Sequence, residues 1–274
     1  MASVWFITGS SRGLGRAIVE KALDTGANVI ATARQPDSLQ DIVQRYGSDR
    51  CLTVALDVAE EDQVTRAVQI AFEKFGRIDI VVNNAGYGTL AAIEDISAKE
   101  FRRQMDTNFM GVVNVTKAVL PILREQKSGH IFQISSMGGR MATPGLCAYQ
   151  SAKWAVGGFS SVLAQEVAPL GIKVTVLEPG GIRTDWARSC AEAVEISAPY
   201  KQTVGYMEKM VTDIAGKEMS LPDKISQVIV DLVGTEEPPL RLLIGPDAVE
   251  FASKAAKALA DSDEKWRSVS ESTV

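Results

Sequence analysis

The chain has 274 residues, 46% of them apolar, and carries 29 Lys and Arg against 34 Asp and Glu for a formal net charge of −5. That is enough apolar material for a sizeable core, and without a basic stripe the charge pattern excludes nucleic acid as a partner. The three cysteines, Cys51, Cys147 and Cys190, lie far apart and suit a reducing compartment rather than a disulfide framework.

In chain order, short β-branched runs alternate with longer stretches of helical spacing. VWFIT opens the chain and leads through a glycine-rich turn into a helical pattern over 14–25. NVIATA and LTVAL follow, then a helix over 60–75, the run IDIVVN and a long helical stretch over 98–127. HIFQIS precedes a helix over 148–168, and IKVTVLE precedes an irregular segment rich in Met, Ala and Ser from Arg183 to about Ser220. Order resumes at Ser220–Pro222, a helix start; LRLLI is the last strand, PDAVEFASKAAKALA the last helix, and a polar, frayed tail is expected after Asp261. Strands alternating with helices imply right-handed crossovers and an α/β fold, a parallel sheet covered on both faces. No internal repeat or long linker divides the chain, so residues 1–274 read as one doubly wound domain. The excursion at 183–220 has the length of a substrate lid. The start, MASVWFIT, lacks the pattern of a signal peptide. No run approaches the roughly 18–20 apolar residues of a membrane span, so the chain reads as soluble and cytoplasmic with no membrane partner.

TGSSRGLG, Thr8–Gly15, sits between the first strand and first helix. A helix N-terminus at the carboxyl end of a strand can receive a pyrophosphate through its free N–H groups and dipole. The spacing Gly9-x-x-x-Gly13-x-Gly15 departs from the usual dinucleotide fingerprint, and a tight structural turn would use the same residues.

Three further stretches bear on that choice: NNAG (Asn83–Gly86), Ser136 with YQSAK (Tyr149–Lys153), and PGGIRT (Pro179–Thr184). With TGSSRGLG, in this order and register, they resemble the short-chain dehydrogenase/reductase family over residues 3 to about 245. The resemblance implies a Rossmann-like sheet of seven strands in the order 3-2-1-4-5-6-7 and a nicotinamide dinucleotide cofactor. It makes Gly9, Ser11, Arg12, Gly13, Leu14 and Gly15 pyrophosphate contacts. It assigns Asp57 and Val58 to adenine, Asn84, Ala85 and Gly86 to the adenine ribose, and Ile182 and Thr184 to the nicotinamide carboxamide. Asn83 reads instead as a sheet-stabilising side chain.

Tyr149 and Lys153 are four apart and share a helix face. A phenol titrates near 10. An ammonium about 4 Å away contributes roughly 4 kcal/mol at an effective dielectric near 20, or about three pK units, which desolvation opposes. A tyrosine lowered toward neutrality can exchange a proton with a carbonyl or alcohol oxygen, and a serine can hold that oxygen. Ser135 and Ser136 both end a strand and face opposite sides; the family's spacing selects Ser136. Asn108 matches the family's helix asparagine, which props a water near the lysine, and Tyr149 and Lys153 also contact the cofactor. No metal constellation surrounds the only histidine, His130.

NADP(H) is the expected cofactor. The second strand runs into Ala33 and Arg34 with no acid at its end to meet a ribose 2′-hydroxyl. Arg12 and Arg34 can converge on a 2′-phosphate, with Asp37 as the competing acid. Tyr87, Met137, Met141, Leu146, Trp186, Tyr206 and Met210 are candidate walls for an apolar ketone or secondary alcohol; Tyr206 and Met210 equally fit the core. The activity expected is that of a carbonyl reductase. A hydroxysteroid or retinol-like dehydrogenase, an acyl-carrier oxoacyl reductase and a non-catalytic dinucleotide sensor are the alternatives. The helical ending departs from tetrameric relatives and leaves a homodimer or a tetramer open.

Overall fold

The structure, a computed structural model, describes residues 2–191 and 194–273. Seven strands form one sheet: β1 Val4–Ile7, β2 Asn28–Ala33, β3 Cys51–Ala55, β4 Ile80–Asn83, β5 Gly129–Ile134, β6 Ile172–Pro179 and β7 Arg241–Ile244. Their order is β3-β2-β1-β4-β5-β6-β7, and every pairing is parallel, with Trp5 opposite both Val29 and Ile80. The central strands read as near-continuous apolar runs because helices cover both of their faces.

The helices are α1 Gly13–Asp24, α2 Gln40–Tyr46, α3 Glu61–Phe75, α4 Ala98–Met105, α5 Gly111–Gln126, α6 Cys147–Val167, α7 Trp186–Ala191, α8 Val204–Ile214, α9 Pro222–Val233 and α10 Pro246–Glu271. On one face, α1 and α9 pack Ile18, Val19, Leu23, Ile225 and Ile229 against Trp5, Ile7 and Val29. On the other, α3, α5 and α6 pack Val64, Val115, Val119 and Leu163 against Phe6, Ile30 and Val81. Alternate residues of one strand thus serve opposite cores.

The chain winds outward from β1 to β3, then returns to β4 on the other side of β1. The carboxyl ends of β1 and β4 therefore form the topological switch point, where open α/β sheets place their crevice.

Three expectations about elements are corrected. The stretch 98–127 is not one α-helix, since a π-helical turn, Asp106–Met110, separates α4 from α5. The tail after Asp261 is helical rather than frayed, because α10 runs to Glu271 with repeated intrahelical pairs such as Lys257–Asp261 and Arg267–Glu264. The segment 183–220 is largely regular, holding α7, a short 3₁₀ turn Ala198–Tyr200 and α8; its positions 192–193 lie outside the described residues.

Candidate active site

The turn after β1 is built from close approaches. Gly9 and Gly13 have φ of 67° and 55°, the left-handed region that favours glycine. A Cβ on Gly15 would lie 2.2 Å from the Gly9 carbonyl oxygen and 2.4 Å from Asn84 Nδ2, so only glycine lets α1 start this near β4. Arg12, at the N-cap of α1, makes no side-chain capping bond, and the first turn of α1 holds no acid. Its N–H groups and dipole are left for an anion. Leu14 points into the core, so it can offer a ligand only backbone, while Ser11 is half-buried and Arg12 exposed.

NNAG clasps this turn. The Thr8 hydroxyl accepts the backbone N–H groups of Asn84 and Ala85, each at 3.0 Å. Asn84 Nδ2 donates to the carbonyls of Thr8 and Gly9 at 3.0 and 3.1 Å. The amide of Asn84 is thus committed to the turn, and Gly86, exposed, presents backbone to the crevice. Asn83 does stabilise the sheet, donating to Gln133 Oε1 at 2.9 Å.

The π-helical turn carries Asn108 inward. Its Oδ1 accepts Tyr87 N–H at 2.9 Å and its Nδ2 donates to Tyr87 O at 2.8 Å. A Cβ on Gly86 would lie 2.6 Å from Asn108 Oδ1 and 3.6 Å from Lys153 Nζ, so these three sit together. Single π-turns recur at functional sites because the extra residue re-aims a side chain.

α6 supplies Tyr149 and Lys153 on one face. Lys153 Nζ donates to the Ile134 carbonyl, at the end of β5, at 2.7 Å, and lies 5.6 Å from the Tyr149 ring centroid. Burial lowers its pKa to about 8. Burial is also the largest influence on Tyr149 and raises it above the ordinary phenol value, opposed by a hydrogen bond from Ser136. The expectation that Lys153 lowers Tyr149 is therefore corrected. The ammonium sits beside the ring with one proton on the β5 carbonyl, and desolvation outweighs its field.

Alternation decides between the serines. Ser135 is buried and donates to Lys153 O at 3.2 Å. Ser136, on the crevice side, accepts Gly138 N–H at 3.0 Å, which leaves its own hydroxyl hydrogen free to donate.

The turn after β6 closes the far wall. Ile182 bridges to Ser220. The Cγ2 of Thr184 lies 3.3 Å from where a Cβ on Gly13 would be, so this turn reaches the glycine turn. Trp186 then sits over Tyr149 with ring centroids 5.1 Å apart. Gly88 makes room for it, since a Cβ there would lie 2.7 Å from Trp186 Cζ2 and 3.3 Å from Cys190 Sγ. Behind them Leu90, Leu146, Cys190, Ile196 and Val204 form an apolar cluster with Met207 and Val211 packed on it. Tyr206 and Met210 are not part of the core: they are 61% and 42% exposed, one helical position out of phase with Met207 and Val211. Met137 and Met141 are half-buried beside Ser136.

Arg34 is exposed at the end of β2 and Asp37 lies in an exposed 3₁₀ turn beyond it. Among the described residues neither Arg12 nor Arg34 is ion-paired, whereas Arg16 of α1 is held by Glu20 and Asp41. After β3, Asp57 Oδ1 accepts Ala59 N–H at 3.1 Å and Val58 is buried against Gly111.

His130 lies within the sheet, 2.9 Å from Thr175 Oγ1 and stacked on Phe132 at 3.9 Å. Among the described residues no group of three His, Cys, Asp or Glu could hold a metal, and no helix is long and apolar enough to cross a membrane. Reasoning from sequence missed the Thr8 clasp, the Gly88–Trp186 fit and the buried Glu178; the first was signalled by the Thr that opens TGSSRGLG.

Comparison with known proteins agrees with this architecture. The chain is 60% identical over 270 residues to oxidoreductase BOA17 of Botryotinia fuckeliana, covering 98% of each chain. It is 34% identical to a 3-ketodihydrosphingosine reductase of Bacteroides thetaiotaomicron, over 93% of this chain and 92% of that one. A short-chain dehydrogenase from Streptomyces avermitilis superposes with a TM-score of 0.92 at 35% identity over the whole of both chains. Residues 3–195 match the description of the short chain dehydrogenases, and with the parallel seven-stranded sheet and the glycine turn at its switch point this establishes that the chain is an oxidoreductase belonging to the short-chain dehydrogenase family.

Proposed function

We propose that this protein is an NADP(H)-dependent carbonyl reductase acting on an apolar ketone or the corresponding secondary alcohol. The observation that carries the reading is Tyr149, held protonated by burial beneath Trp186, with the Ser136 hydroxyl turned to the same point. When bound, the dinucleotide supplies the hydride to the carbonyl carbon. Ser136 donates a hydrogen bond to the carbonyl oxygen, where negative charge develops. Tyr149, whose raised pKa keeps its proton at neutral pH, then transfers that proton to the oxygen. Lys153 keeps an ammonium below pH about 8, with protons beyond the one on Ile134 O for the ribose hydroxyls. Asn108 holds the Tyr87 backbone and with it the wall beside Gly86.

The cofactor site fits a dinucleotide: an uncapped helix start, a glycine turn too tight for a side chain, and at its rim two arginines that are not ion-paired among the described residues. Those arginines, and the lack of an acid at the end of β2, favour the 2′-phosphate. Trp186, backed by the buried cluster of Leu90, Leu146 and Val204, favours an apolar substrate, and one relative is a 3-ketodihydrosphingosine reductase. Residues 183–220 are the segment suited to act as the lid, because Trp186 of α7 lies against the Tyr149 ring at the mouth of the crevice.

The test is a panel of hydrophobic ketones, from cyclic to long-chain 3-oxo compounds, assayed with NADPH and with NADH. Reduction of at least one ketone with NADPH preferred is expected. Cofactor binding without turnover of any member would favour a dinucleotide sensor, and a preference for NADH would overturn the cofactor assignment.

A further inference from the structure

Glu178, next to last in β6, is fully buried and charged. Its two oxygens are divided between two arginines from different elements. Arg140 Nε donates to Oε2 at 2.6 Å, with Nη2 at 2.5 Å. Arg241 of β7 donates from Nε to Oε1 at 2.8 Å and also binds it through Nη2. The same Nη2 reaches the Gly139 carbonyl at 3.3 Å.

Both arginines thereby hold one short piece of chain, the turn Ser136–Arg140 that follows β5. Its other side rests on α6 without slack. A Cβ on Gly138 would lie 2.9 Å from Gln150 Nε2, and one on Gly139 would lie 3.0 Å from the Lys153 carbonyl. Within the turn, Gly138 N–H donates to Ser136 Oγ at 3.0 Å, which sets where the serine's own hydrogen points. The turn is thus gripped between α6, which carries Tyr149 and Lys153, and an ion cluster anchored on β6.

We propose that Glu178 is a positioning residue: its carboxylate, shared by Arg140 and Arg241, locks the Ser136–Arg140 turn and so aims the Ser136 hydroxyl at the oxygen that Tyr149 protonates. Breaking a buried ion pair leaves its partners uncompensated. The two arginine side chains are 33% and 29% exposed, so their guanidinium groups can swing to water and release the turn. The proposal rests on the functional reading above for the roles of Ser136 and Tyr149.

The variant is Glu178→Gln, which keeps the shape and removes the charge. In the free protein, hydrogen exchange at the Gly138, Gly139 and Arg140 amides is expected to rise about ten-fold or more while exchange at Gly13–Gly15 holds. In ketone reduction, kcat is expected to fall about ten-fold with the NADPH Kd within about two-fold of wild type. Introduced on top of Ser136→Ala, Glu178→Gln should cost no further activity, since its effect passes through the serine. Equal fold-losses in both backgrounds, or unchanged exchange in the turn, would overturn the proposal. Absence of turnover in the wild type would instead mark failure of the functional reading, and the exchange measurement still decides on the turn. Should Glu178→Gln not fold, Arg140→Gln approaches the same contact from its solvent side and is judged by the same two criteria.

Discussion

Tyr149 and Lys153 each bear the cost of burial, in opposite directions. The phenol is raised and the ammonium lowered, so in the free protein the pair stores a proton on the tyrosine. Tyr149→Phe removes that proton donor while nearly preserving the volume beneath Trp186. Turnover is expected to fall by ~100- to 10,000-fold with NADPH binding retained, as read by steady-state kinetics and a fluorescence titration; activity within a few-fold of wild type would refute the assignment. Arg34 tests the cofactor in the same way. Losing one charged partner of a phosphate costs on the order of 1.5–3 kcal/mol, so Arg34→Ala should weaken NADPH binding roughly ten- to a hundred-fold and leave NADH nearly unchanged. Equal losses for the two cofactors would mean that Arg34 does not meet the 2′-phosphate.

Among the elements, the turn between β1 and α1 has least tolerance, because three chain segments share one volume. In Gly15→Ala the new methyl would meet the Gly9 carbonyl and the Asn84 amide at once. Overpacking of that kind typically costs 1–3 kcal/mol, and here it also displaces the backbone proposed above to hold the cofactor phosphates. Urea denaturation should show a loss of about that size, and NADPH affinity should fall with it; a fully stable variant that binds normally would contradict the close approach. The segment 183–220 is held by Trp186 against Tyr149, by the Ile182–Ser220 bridge, by the Leu90 N–H on the Cys190 carbonyl at 2.9 Å, and by Cys190, Ile196 and Val204 packed on Leu90 and Leu146. Limited proteolysis within it should slow when NADPH and a reducible ketone are both present, and cleavage that ignores saturating ligand would argue against a lid.

Across the whole molecule, the clearest pH signature comes from outside the site. Burial, with the Lys173 charge nearby, lowers His130 from the ordinary value to about 3. The unfolded chain binds a proton near pH 6.5 that the folded chain refuses, so this contribution to stability is present above that pH and is lost as pH falls toward 3. Between pH 7 and 5 the loss from this one group is about 2 kcal/mol. Urea midpoints measured at both pH values should drop accordingly in wild type, and His130→Asn should remove most of that difference while lowering stability at both. A variant with the wild-type pH slope would place the sensitivity elsewhere.

The local periods of the sequence determined much of this molecule. Seven β-branched runs and the helices between them were legible because burial on two faces leaves a plain mark on composition, and the glycines of TGSSRGLG because close approach admits no other residue. Tyr149 and Lys153 were legible as a pair because helical spacing alone puts them on one face. What remained hidden depends on partners distant in the chain. Glu178 looks like any strand-end acid until Arg140 and Arg241 arrive from other elements. The phase of α8, which turns Met207 inward and Tyr206 outward, follows from what lies beneath it. The direction of the Tyr149 shift was decided by burial, which exists only once the chain has folded: charge spacing can be read along a sequence, but desolvation is a property of the packed interior.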